Sequence, residues 1–78
     1  MQTIRASFSS GAVITVVYRS HIACESVESS GPAVPGLDLD LPRHLNPDAF
    51  IRHVHMVANK EALTVDVMSD GQPELARR

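Results

Sequence analysis

The sequence has no tryptophan, one tyrosine and two phenylalanines, and only 4% of it is aromatic. A core therefore has to be assembled from valine, isoleucine, leucine and alanine. A single cysteine, Cys24, excludes an internal disulfide, and with it the stapled class of small secreted domains. Basic residues are few and scattered. The seven lysines and arginines become adjacent only at Arg77–Arg78, and the formal net charge is −2. Nucleic-acid-binding domains usually carry a basic patch or stripe, so direct nucleic-acid binding is not expected. No apolar run approaches the ~20 residues of a membrane span. MQTIRASFSS also lacks the apolar centre of a signal peptide, so a cytoplasmic protein without membrane contact is expected. The glycines are isolated, and no phosphate-cradling loop is formed from them.

What the chain does have is 44% hydrophobic residues in a length of 78, near the lower limit for one self-sufficient core. One domain, 1–78, is expected. Its best-formed stretch is NPDAFIRHVHMVANKEALTVDVM, residues 46–68. Asn46 is a good N-cap, because its side-chain oxygen can accept from an orphaned backbone N–H. Pro47 suits the first helical position, and Asp48 in the first turn suits the helix dipole. Leu45 and Phe50 bracket the cap as a hydrophobic staple. At 100° per residue, Phe50, Ile51, Val54, Val57 and Ala58 form one apolar arc. Asp48, Arg52, His55 and Asn59 lie opposite, with Asp48–Arg52 spaced for an ion pair. A helix over 47–58 follows, with Asn59 closing it in a left-handed conformation. Over 62–68, Leu63, Val65 and Val67 alternate with Thr64 and Asp66 as a half-buried strand. The competing reading of 50–68 as a hairpin leaves both faces of its first strand mixed and gives the capping residues no use.

Before the helix, Ile4, Ala6 and Phe8 alternate with polar residues, which predicts a strand over 2–8. Ser9-Ser10-Gly11 is a turn, and a long strand is expected over 12–24, with Ser20 marking a bulge or bend. Ser26–Gly36 is rich in serine, glycine and proline and reads as an exposed, mobile loop. Leu37, Leu39 and Leu41 alternate with Asp38 and Asp40, which predicts a short edge strand over 37–41 ended by Pro42. Residues 69–78 read as a frayed tail. The expected fold class is α+β: a small antiparallel sheet of about four strands with one helix packed on one face.

Chemistry is sparse. His21 and Cys24, or His53 and His55, invite a test for metal binding, but no spacing matches a zinc signature. On a helix His53 and His55 diverge, so they chelate together only in the hairpin reading. Cys24 has no nucleophile turn around it. Asp38 and Asp40 mimic a paired-carboxylate site, yet on an exposed edge nothing desolvates them for acid–base work. No catalytic residue, metal or cofactor is therefore assigned, and an enzyme is not expected. The remaining signal is charge. Residues 20–42 hold Glu25, Glu28, Asp38 and Asp40 and no lysine or arginine. Such a segment suits docking on a basic site of a larger protein, and an edge strand beside it adds the option of strand addition to a partner's sheet.

In size and charge the chain resembles the small acidic inhibitors encoded by phages and mobile elements, anti-CRISPR proteins among them. The analogy implies a larger protein or nucleoprotein complex as partner, engaged at its nucleic-acid-binding groove. An accessory subunit that oligomerises, as a homodimer for example, is the alternative. A metal-binding protein that uses His21, Cys24 and the later histidines is the third.

Overall fold

A computed structural model describes residues 2–20 and 23–70. Its elements are β1 (Gln2–Phe8), β2 (Val13–Ser20), β3 (Ala23–Ser30), a short 3-10 helix (Leu41–Arg43), α1 (Pro47–Lys60) and β4 (Val65–Asp70). The strands form one antiparallel sheet in the order β3-β2-β1-β4. The chain is thus a small α+β domain with a four-stranded antiparallel sheet and one packed helix.

Period-two alternation decides which side of the sheet is covered. Ile4, Ala6 and Phe8 of β1 and Ile14, Val16 and Tyr18 of β2 point to the helix side and are buried. They meet Phe50, Val54, Val57 and Ala58 of α1 in one cluster, with Ile51, Leu45, Val65 and Val67 packed around it. Side chains on the other face form ordered rows across the strands, such as Glu28–Thr15–Arg5–Met68. The β1–β2 hairpin turns at Gly11, whose φ of +99° lies in the region open to glycine. Ser9 then ties in the start of β4. Its N–H donates to the Thr64 carbonyl at 2.8 Å, and its Oγ accepts from the Thr64 N–H at 3.1 Å.

The helix start follows the expected chemistry. The Asn46 side chain accepts from the Ala49 N–H at 2.7 Å, and Pro47 takes the first helical position. Its end does not. The helix runs through Asn59 and Lys60, and the left-handed residue is Ala62, at φ +57°. The Leu63 N–H reaches the Ala58 carbonyl at 2.8 Å and the Ala62 N–H the Asn59 carbonyl at 3.2 Å, which is the Schellman arrangement. It draws Leu63 onto the core, so the apolar contact selects the position of the turn over the intrinsic preference of Asn59. An alanine there carries left-handed strain of about 1–2 kcal/mol. Ala62→Gly is therefore expected to raise stability by about 0.5–1 kcal/mol, after the added freedom of the unfolded chain is subtracted. Urea denaturation of the two proteins measures it, and a loss of stability would contradict the strain argument. Asp48 and Arg52 are both exposed and do not form the expected ion pair, in keeping with the small worth of solvated pairs on a helix.

Four strands are present, but not the four read from the sequence. The expected 12–24 strand ends at Ser20, and β3 takes up Cys24 together with the first part of the expected loop, through Ser30. Val27 is its main apolar signal, because an edge strand with polar flanks needs little alternation once β2 supplies the hydrogen bonds. Residues 37–41 are not a strand. The Asp38 carboxylate accepts from the Asp40 N–H at 2.9 Å, and successive i→i+3 bonds close turns at Leu41, Arg43 and His44. Local side-chain bonding of this kind competes with extended backbone. β4 starts later than expected, at Val65, and continues to Asp70. The rest of the expected tail, 71–78, lies outside the described residues.

Candidate partner-binding edge

β3 ends the sheet on one side, so the outer edge of its backbone has no neighbouring strand among the described residues. Its register to β2 is regular from Val13↔Ser30 to Val17↔Ser26, then shifts twice. Glu25 is the extra residue on β3 and Arg19 the extra residue on β2, so the irregularity lies at these two positions rather than at Ser20. The two shifts cancel, and Ser20 pairs with Ala23. The paired bulge brings Arg19 Nε to 3.4 Å from Glu25 Oε1, on side chains 74% and 43% exposed. So exposed a pair contributes little stability, but it removes Glu25 from the acidic segment as a free charge.

The same happens at the other end. Asp40 lies 3.9 Å from Arg43 Nε, and the Asp38 carboxylate is taken up by the Asp40 N–H. The segment without basic residues is flanked by two arginines that fold back on it. Glu28 differs from the other three. Its carboxylate is exposed on the open face beside Thr15 and has no ion-pair or hydrogen-bond partner among the described residues. Arg5 is in the same row but two strands away, about 9–10 Å at ordinary strand spacing. Asp38 and Asp40 belong to the 31–46 segment, which closes over the helix side of the sheet. The four acidic residues therefore do not share one surface. Glu28 is on the open face, Glu25 at the bulge, and the two aspartates on the other side.

The 31–46 segment is held by Tyr18, the one tyrosine in the chain. Its hydroxyl donates towards the carbonyl oxygens of Pro42 at 3.1 Å and Leu45 at 3.0 Å. Burial, with a smaller contribution from the charge of Cys24, pushes its pKa from 10.0 up to about 12. Where the segment leaves β3 it turns at Gly31, at φ +80°, where a Cβ would overlap the Gly11 carbonyl. This close approach leaves a groove of about 160 Å³ beside the end of β3, lined by Ile14, Ser29, Val34, Leu37 and Leu39 among others. Leu39 is 39% exposed there. The groove was not legible in the sequence, since its walls come from two strands and a segment whose path is set by tertiary contacts.

The metal candidates that fall among the described residues are not brought together. Among the described residues no three His, Cys, Asp or Glu side chains are placed to hold a metal ion. His53 is half-buried and His55 exposed, on different sides of α1, and His21 lies outside the described residues. The Cys24 thiol is 3.7 Å from the Ser26 carbonyl oxygen, a weak S–H···O contact with its own strand. No described helix is long and apolar enough to cross a membrane. Comparison with protein-family models, with curated proteins and with solved structures finds no match.

Proposed function

We propose that this chain is a non-enzymatic protein-binding module that docks the β3 edge, with its acidic surroundings, on a larger partner in the manner of an inhibitor. The observation that carries the reading is the β3 edge, which among the described residues has no strand beside it and carries the Glu28 carboxylate, without a partner there, on one face and an apolar groove on the other. Strand addition takes affinity from main-chain bonds and specificity from side-chain pockets, and β3 offers both. An acidic docking strand suits a basic partner surface, such as the nucleic-acid-binding groove of a nucleoprotein complex.

A homo-oligomer built by edge pairing is the less favoured reading, for a specific reason. Both edge strands of the described sheet carry an acidic residue on the open face, Glu28 on β3 and Asp66 on β4. Pairing β3 with another copy's β3 or β4 sets carboxylates near one another, and like charges across strands are destabilising. Light scattering at micromolar concentration is expected to give the 8.5 kDa monomer mass. Joint reversal of Glu25, Glu28, Asp38 and Asp40 to lysine is expected to abolish capture of the partner from cell lysate. Undiminished capture by that variant, with its fold intact by circular dichroism, would rule the proposal out.

A further inference from the structure

Resting on the protein-binding reading, the geometry points to the kind of chain that β3 takes up: an extended segment of another protein with the alternation apolar–basic–apolar, laid beside Val27–Ser29. The alternation follows from the register. Val27 and Ser29 pair with Val16 and Ile14 on the helix side, and Glu28 pairs with Thr15 on the open side. A strand added outside β3 continues these rows, because directly opposed residues share a face with Cβ atoms about 4.5–5.5 Å apart.

The residue beside Glu28 then points to the open face, next to a carboxylate with no partner of its own among the described residues. A lysine or arginine completes it. The residue beside Ser29 points to the helix side and enters the groove between Ile14, Val34, Leu37 and Leu39. At about 160 Å³ this groove is well below the ~300–1,000 Å³ of small-molecule pockets, and it suits one aliphatic side chain. The residue beside Val27 meets a half-buried valine that packs on the core, so an apolar group is favoured there too.

Among the described strands, no free edge of a second copy carries the complementary pattern. The free edge of β4 reads Val65-Asp66-Val67, apolar–acidic–apolar, and sets Asp66 against Glu28 when the apolar positions match. Ile4-Arg5-Ala6 has the complementary pattern, but it lies in β1, which is already paired on both sides.

The test pans a displayed library of random short peptides against the intact chain, in parallel with Glu28→Lys and Leu39→Asp variants checked for folding by circular dichroism. Both replaced side chains are exposed. The unmodified chain is expected to enrich apolar–basic–apolar triplets, and Glu28→Lys to enrich an acidic centre instead. A synthetic peptide carrying Leu-Lys-Val at its centre is expected to bind the Glu28→Lys chain at least roughly tenfold more weakly, as a charge-reversed pair should. Leu39→Asp should weaken it comparably while the preference for a basic centre stays. Backbone N-methylation of the triplet should remove binding. A Glu28→Lys chain that keeps a basic preference overturns the inference, as does a library that yields no patterned peptide. If either occurs while reversal of the four acidic residues still abolishes partner capture, strand uptake by β3 fails and only protein binding through the acidic side chains stands.

Discussion

Phe50→Ala is expected to lower the free energy of unfolding by about 3–5 kcal/mol, the usual range for emptying a buried aromatic site. Phe50 is 0% exposed and shares the core with Ile4, Val16 and Val54, which are equally buried. The loss is large because the core has few alternatives. The chain has two phenylalanines and no tryptophan, and the residues around Phe50 are mostly β-branched or already in strand register. Valines and isoleucines have stiff χ1 angles and collapse poorly into a cavity. At roughly 0.05–0.15 kcal/mol per residue a domain of this length has about 4–12 kcal/mol in all, so the variant sits near the edge of folding. Urea denaturation should show the midpoint falling with little change in slope. Met56→Ala, on the same helix but 59% exposed, is expected to stay within about 0.5 kcal/mol of the parent. A loss below about 1 kcal/mol for Phe50→Ala would mean that the helix does not seat this ring in the core.

The same residue shows why part of the fold was legible in the sequence. Phe50, Val54, Val57 and Ala58 recur at helical spacing, and Asn46-Pro47 starts the helix with chemistry that acts within one turn. Both signals are local, and both appear in the structure. Ile4, Ala6 and Phe8, and Ile14, Val16 and Tyr18, are as clear for strands because one face of each is fully covered. β3 carries no such mark. Its polar residues lie on an edge, where exposure relaxes the alternation, and its place as a strand depends on hydrogen bonds from β2. Leu37-Asp38-Leu39-Asp40-Leu41 has the alternation without the strand. The Asp38 carboxylate and the following proline favour turns, and of the three leucines only Leu37 packs against the core, while Leu39 stays exposed.

Charge is legible in the same partial way. The run without lysine or arginine between residues 20 and 42 is real, but sequence distance hides the arginines at its two ends. Arg19 meets Glu25 through a paired bulge, and Arg43 meets Asp40 across one turn of 3-10 helix. What the sequence presented as four equivalent carboxylates becomes, among the described residues, one unpaired group, Glu28, beside a groove that no linear pattern announces. A site made of an edge strand and a closing segment exists only once the segment is held in place.

Tyr18 holds that segment, and its titration is expected to show it. As the one tyrosine in the chain, it makes the near-ultraviolet absorbance of tyrosinate report a single site. The expected midpoint in the folded protein is about 12, against an ordinary value of 10.0. The raised value means that the unfolded chain gives up this proton first. Stability is therefore unaffected below pH 10, where both states keep the proton, and falls between 10 and 12, where only the folded state does. The size of the loss is set by how completely the hydroxyl is withdrawn from water, since solvent screening reduces it. A rapid pH jump with absorbance detection separates the folded form's ionisation from that of chains that have opened. Cys24→Ala is expected to move the midpoint down without bringing it to 10.0, because burial is the larger cause and the Cys24 charge the smaller. Tyr18→Phe should abolish the contribution of this group to the alkaline loss. At neutral pH it should cost about 1–3 kcal/mol, since the carbonyl oxygens of Pro42 and Leu45 lose the hydroxyl that both face. It should also loosen the segment that carries Leu37 and Leu39, and with it the groove beside β3. A folded-state midpoint of 10.0 would mean that the hydroxyl is solvated and that the segment does not close over β2.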